Sequence, residues 1–160
     1  MNEPVLLPVW RMNNVAAERD VLAFWREAKL LSQDVDIVTR LKELCLIAYD
    51  GDKVVGVNTA VITRIEQVRA KIAMLRFAVA ADYRQMGLTV RLLEMAHDML
   101  ERWAKACPEE CVMGTGFVLQ TRMIPPEQTK QAVWHGHALI DHTPAGDQIR
   151  IGWFEGARID

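Results

Sequence analysis

Cysteine is scarce in this chain, and its three copies, Cys45, Cys107 and Cys111, are an odd number. Such a count makes a poor disulfide framework and suits a reducing compartment, so a cytoplasmic location is expected. An excess of charge of one sign is missing too. Lys plus Arg number 19 against 21 Asp plus Glu, a net charge of −2, whereas general nucleic-acid binders carry a basic excess. No apolar run is long enough to cross a bilayer, because charges interrupt every one. The N-terminal stretch holds Glu3 and a brief apolar run over 5–10, without the basic region and long core of a signal peptide. Repeats, low-complexity tracts and Pro/Gly/Ser-rich linkers are also lacking. The expectation is a single domain over 1–160, with neither nucleic acid nor membrane among its partners.

What is present is globular: 51% hydrophobic and 25% charged residues over 160 positions, the size of one core. A short strand over 5–10 precedes a helix over 15–31, with Val21, Leu22, Trp25 and Ala28 on one face and Glu18, Arg19, Arg26 and Glu27 on the others. A second, shorter helix carries Ile37, Leu41 and Leu44 in register, with Asp34 or Asp36 capping it. Then the period changes. Strands are expected over 45–49 and 54–63, joined at Asp50-Gly51-Asp52, where glycine supplies the positive φ of a tight turn. A third strand over 71–79 is central, nearly all apolar apart from Arg76.

From Leu88 the helical period returns in the stripe Leu92, Leu93, Ala96, Met99, Leu100 and Trp103, with His97 at its edge. Pro108 closes that region, and 111–119 reads as a strand containing Gly114 and Gly116. Pro125-Pro126 opens an expected helix over 127–134, and a hairpin over 138–143 and 148–154 ends the chain. Strand, helix, strand in the middle implies a parallel crossover between 71–79 and 111–119. The fold class is therefore mixed α/β: a central, mostly antiparallel sheet with one parallel step and helices on both faces.

The chemistry concentrates in Phe77-Ala78-Val79-Ala80-Ala81-Asp82-Tyr83-Arg84-Gln85-Met86-Gly87-Leu88-Thr89. A strand that feeds a helix through a turn leaves unpaired backbone N–H groups at the helix start, and the helix dipole adds to them, so an anion such as a pyrophosphate suits the place. Gly87 allows close approach of the backbone, and Arg84 adds a charge with bidentate capacity. Locally, the same residues also suit a plain strand–turn–helix with a solvated Arg84.

Arg84-Gln85-Met86-Gly87-Leu88-Thr89 resembles the acyl-coenzyme A signature of the GNAT-type N-acetyltransferase superfamily, Arg/Gln-x-x-Gly-x-Gly/Ala after the fourth strand, and the order of elements fits over nearly the whole chain. The resemblance implies an acyl-coenzyme A cosubstrate, usually acetyl-coenzyme A, held by Arg84, Gln85, Met86, Gly87, Leu88 and Thr89. Its pantetheine arm would lie along Phe77, Ala78 and Val79 and the stretch Gly114 to Phe117. An amine acceptor is the implied second substrate, and a homodimer is left open. Three departures stand out. Thr89 replaces the last small residue of the signature. Met74-Leu75-Arg76-Phe77 lacks the acid many members carry there, and Ala132 stands where many have a Tyr four residues before a Gly-aromatic pair, here Gly136-His137. No catalytic residue is assigned, so an N-acyltransferase and a non-catalytic acyl-coenzyme A-binding or protein-binding domain both remain open.

Other constellations read as ordinary. Cys107, Cys111, His135, His137 and His142 have the residue types of a zinc site but not its paired spacing, so free thiols and surface or edge histidines are expected and no metal. His135 is placed at the end of the closing helix, where its imidazole suits proton exchange or simply the C-terminal dipole. Glu66 lies in an Arg-flanked loop within reach of a substrate amine or merely solvated.

Overall fold

A computed structural model describes residues 3–31, 36–120 and 126–157. Eight strands hydrogen-bond in the order β1-β2-β3-β4-β5-β8-β7-β6, and the mixed α/β class with a mostly antiparallel sheet is as expected. The chain packs as two compact units, Met1–Ala60 with Arg76–Ala96, and Val61–Leu75 with His97–Asp160. Three elements contribute to both: β3 (Lys53–Ile65), β4 (Ala70–Val79) and a long helix, α3 (Leu88–Ala106).

The first unit begins with β1 (Val5–Pro8), two residues shorter than expected, antiparallel to β2 (Leu44–Asp50). Helix α1 (Val15–Glu27) is capped by Asn14, whose side chain accepts from the Ala17 amide at 3.1 Å. Its Ala17, Val21, Phe24 and Trp25 pack with Val9, Leu44, Ile47, Val54 and Val57, as the 3.6-residue pattern implies for Val21 and Trp25. The helix stops at Glu27 rather than at 31, with Ala28 exposed and Lys29 left-handed at φ of 56°. Helix α2 (Ile37–Lys42) is capped by Asp36 through Thr39. The alternative cap, Asp34, lies outside the described residues. β2 and β3 form the hairpin anticipated at Gly51, which has φ of 64°.

In the second unit β4 pairs in parallel with β5 (Val112–Leu119) from Lys71↔Val112 to Met74↔Gly116, confirming the crossover. β5 is antiparallel to β8 (Gln148–Trp153), and β8 to β7 (His137–His142). Gly114 and Gly116 lie inside β5, and Gly114 follows a register shift against β4, where the pairing steps from Lys71↔Val112 to Ile72↔Gly114. A Cβ at Gly114 would stand 2.4 Å from the Gly152 carbonyl oxygen, and one at Gly116 2.6 Å from Ile151 Cδ1. Both glycines serve the close seating of β8 on β5.

The helix expected over 127–134 is a correction. Only Pro126–Thr129 is helical (α4), and Val133–Trp134 forms β6, paired with His137–Ala138. Arg150 on β8 supplies the reason. It is fully buried, and it donates to the carbonyls of Thr129 at 3.1 Å, Gln131 at 2.7 Å and His137 at 3.1 Å. Gln148 joins in, since its side-chain Nε2 donates to the Thr129 carbonyl at 2.7 Å. Carbonyls taken by a guanidinium are satisfied without a helical turn, so the segment runs on as extended chain.

Candidate functional site

After Val79 the chain enters a 3-10 stretch, Ala81–Met86. Tyr83 is buried there, and its hydroxyl donates to the Asp50 carboxylate on the β2–β3 hairpin, which pins the turn. Arg84 is exposed, and its Nε donates to the Val79 carbonyl at 3.1 Å. One of five guanidinium donors is thereby used. Gly87 follows in the left-handed region, φ 71° and ψ 15°. Nothing lies within 4 Å of a Cβ built there, so the backbone conformation is what calls for glycine.

The Arg91 amide bonds the Gly87 carbonyl at 3.1 Å and so opens the α3 ladder. The amides of Leu88, Thr89 and Val90 precede that bond and have no partner one turn back. Leu88 is buried, and a Cβ at Gly56 would sit 3.2 Å from its Cδ2, so β3 seats the first turn of α3 closely. Leu88 can therefore offer only its backbone, whereas Thr89 is half-buried and keeps its hydroxyl near the turn. Gln85 and Met86 supply backbone to the 3-10 stretch; their side chains lie outside the described atoms.

The same unit holds a cavity of about 220 Å³. Phe77 and Ala78 of β4 line it with Trp25, Leu30, Leu31 and Val57, and its polar members are Arg40, Thr59 and Arg76. Val79 is buried beside them, with its carbonyl held by Arg84. Asn58 is buried, and its Nδ2 donates at 3.1 Å to the carbonyls of both Thr59 and Arg76, bracing two lining residues, while its Oδ1 has no partner. Arg40 approaches Glu43 at 3.8 Å. Burial pushes the Glu43 carboxyl up from its ordinary value against the opposing pull of Arg76 and Arg40.

Residues 12–115 match the model of the acetyltransferase (GNAT) family. The chain belongs to the GNAT acetyltransferase family. Solved structures agree on the fold. A GNAT-family acetyltransferase of Streptococcus pneumoniae is 16% identical, with a TM-score of 0.60 over 95% of this chain and 99% of its own. A GNAT N-acetyltransferase of Escherichia coli in complex with coenzyme A is 15% identical, TM-score 0.63, covering 98% of this chain and 87% of that one. An aminoglycoside 6'-N-acetyltransferase complexed with coenzyme A is 14% identical, TM-score 0.58, over 98% and 99%. A search of curated protein sequences found no match.

Within this GNAT chain the fourth-strand stretch offers half-buried Met74, buried Leu75, exposed Arg76 and half-buried Phe77, and Ala132 is exposed. Glu43, just after α2, was passed over by sequence reasoning; it does not line the cavity itself but stands 3.8 Å from Arg40, which does. Its spacing from Arg40 resembles any surface pair one helical turn apart, and only the fold reveals that Arg76 also acts on it. Glu66 instead pairs with Arg64 at 2.9 Å in the open, and it lines no part of the cavity.

The histidines depart further from expectation. His135 is not at a helix end; it occupies the β6–β7 turn with φ of 46°. His137 is buried rather than at a surface or edge, and its Nδ1 donates to the His135 carbonyl at 2.8 Å. A carbonyl only accepts, so in the neutral ring Nε2 is the acceptor and receives the Thr115 hydroxyl at 2.8 Å. Thr115 in turn accepts from His97 Nδ1 at 2.6 Å, so His97, half-buried at the edge of the α3 stripe as expected, also joins a hydrogen-bonded chain. Burial pushes His137 down to about 4 and lowers His97 as well. Among the described residues no cluster of His, Cys, Asp or Glu has the arrangement of a metal site, and the three cysteines are free thiols.

Proposed function

We propose that residues 1–160 act as one acyl-coenzyme A-dependent N-acetyltransferase domain, with acetyl-coenzyme A as cosubstrate and an amine as acceptor. One observation carries the reading: β4 leads directly from the cavity lined by Phe77 and Ala78 into the Arg84–Gly87 turn and the open amides of α3. A pyrophosphate fits that turn, because the space beside Gly87 is clear and unpaired N–H groups stand at the start of a 19-residue helix. Arg84, Gln85, Met86, Gly87, Leu88 and Thr89 would hold it, the first by its guanidinium and Gln85 to Leu88 by backbone. Phe77, Ala78 and Val79 would flank the pantetheine arm.

When bound, acetyl-coenzyme A supplies an activated thioester. The chain's own contribution is placement: holding an amine in the cavity against β4 converts a two-body encounter into a local one, a gain of several orders of magnitude in rate. Glu43, linked to the cavity wall through Arg40 at 3.8 Å, would be the group to take up a proton from that amine, and its raised pKa suits the role.

The test is thermal unfolding with acetyl-coenzyme A, followed by thiol release with a panel of amines. Stabilisation that grows with ligand concentration is expected, since ligand bound only to the native state acts by mass action. No shift at millimolar coenzyme would overturn the reading. Firm binding without thiol release from any amine up to pH 9 would indicate a binding domain instead.

A further inference from the structure

The cavity lined by Phe77 and Ala78 is apolar over most of its wall and cationic at one place. Trp25, Leu30, Leu31 and Val57 provide the apolar part, while Arg40 on α2 and Arg76 on β4 both reach it. Arg76 is the only charged residue between Ile72 and Val79 of a central strand. Among the described residues, no hydrogen bond or ion pair engages its guanidinium. Arg40 has Glu43 at 3.8 Å, too long for a good hydrogen bond. The trio of Arg40, Arg76 and Glu43 carries a net charge of +1 when Glu43 is ionised and +2 when it is not. Arg76 is exposed and Arg40 half-buried, so both guanidiniums can meet a ligand that enters the cavity, with Glu43 balancing only one of the two charges, and guanidinium matches a carboxylate bidentately.

We infer that the acceptor is a free amino acid with an apolar side chain, its carboxylate held by Arg76 and Arg40 and its side chain seated against Trp25, Leu30 and Leu31. This rests on the N-acetyltransferase reading above. A cavity of about 220 Å³ falls below the roughly 300–1,000 Å³ of pockets for drug-sized ligands, which favours a small acceptor. The carboxylate on the arginines orients the neighbouring α-amine. In the transfer, the N–C bond forms as the thioester C–S bond breaks. The amine nitrogen loses one proton and the departing thiolate gains one, so coenzyme A leaves as the free thiol.

The experiment measures thiol release from acetyl-coenzyme A with leucine, with isoamylamine (leucine without its carboxylate), with leucine amide and with a tripeptide amide. Leucine is expected to exceed isoamylamine and leucine amide in kcat/KM by about 10–100-fold, the scale of a charge-assisted contact. In Arg76→Gln that ratio is expected to collapse towards one through KM, and Arg76→Lys to restore part of it, since a point charge lacks the fork. Unfolding curves of both variants establish that they fold, and calorimetry with N-acetylleucine and coenzyme A checks binding independently of turnover. Equal kcat/KM with and without the carboxylate, or a peptide amide as the best acceptor, would overturn the inference and leave the N-acetyltransferase reading standing. Coenzyme bound but no thiol released from leucine would also overturn it. Failure to bind acetyl-coenzyme A would remove both.

Discussion

Arg84 and Arg150 show two opposite uses of the same side chain. Arg84 lies exposed at the turn after β4 with one hydrogen bond, to a backbone carbonyl. Arg150 is fully buried with four acceptors: Gln148 Oε1 at 2.9 Å and the carbonyls of Thr129, Gln131 and His137. Among the described residues the first spends one donor on a neighbouring carbonyl; the second commits its donors to the fold. The same contrast holds for their surroundings. The turn leaves the first amides of α3 open, whereas the polar chain His97–Thr115–His137 ends each donor on an acceptor. Open donors at an exposed turn point to binding, and closed chains in a core point to architecture.

The largest expected effect tests the architectural side. Arg150→Met should cost about 3–5 kcal/mol of stability, because three backbone carbonyls and the Gln148 amide lose their donor at once in a buried site. Arg84→Ala should change stability by less than about 0.5 kcal/mol, as exposed substitutions do. Urea unfolding of both variants checks the pair, and equal losses would break the contrast.

The next effect concerns the histidine chain. The His137 pKa is about 4 in the folded protein, below the 6.5 of a free histidine. A base with a depressed folded pKa is neutral in the native state while the unfolded chain already binds a proton. Its contribution is therefore fully present above pH 6.5 and is lost as pH falls from 6.5 towards 4, by up to about 3 kcal/mol. Unfolding free energies across that range should show the fall. An NMR titration that puts His137 near 6.5 would contradict the buried chain.

On the binding side, Arg84→Ala should weaken acetyl-coenzyme A by about 1–3 kcal/mol. Gly87→Ala should cost about 1–2 kcal/mol through backbone strain alone, since its Cβ would meet open space. Calorimetry for the first and unfolding for the second separate charge from conformation. The smallest effect belongs to Glu66→Gln. Its exposed pair with Arg64 should contribute less than about 0.5 kcal/mol, and thiol-release rates should stay unchanged.

Legibility divided along the same line. The α1 stripe, the Gly51 hairpin, the β4–β5 crossover and the Gly87 turn were readable because each depends on residues a few positions apart or on a period of two or 3.6. The 127–134 segment was misread because its carbonyls bond a side chain some twenty residues ahead. His137 was misread as a surface or edge residue because its partner, Thr115, lies on a different strand. Glu43 was passed over because Arg76 acts on it from another strand.

The sequence by itself determined the order of elements up to β5, the presence of a turn at Arg84–Gly87 and the family that turn resembles, since backbone propensity and hydrophobic period are local. Only the tertiary structure decided that Arg40 and Arg76 share a cavity wall, that Arg150 replaces a helix, and that His137 is buried with its pKa held down. Burial and charge pairing depend on which distant residues meet, and no spacing along the chain encodes that directly.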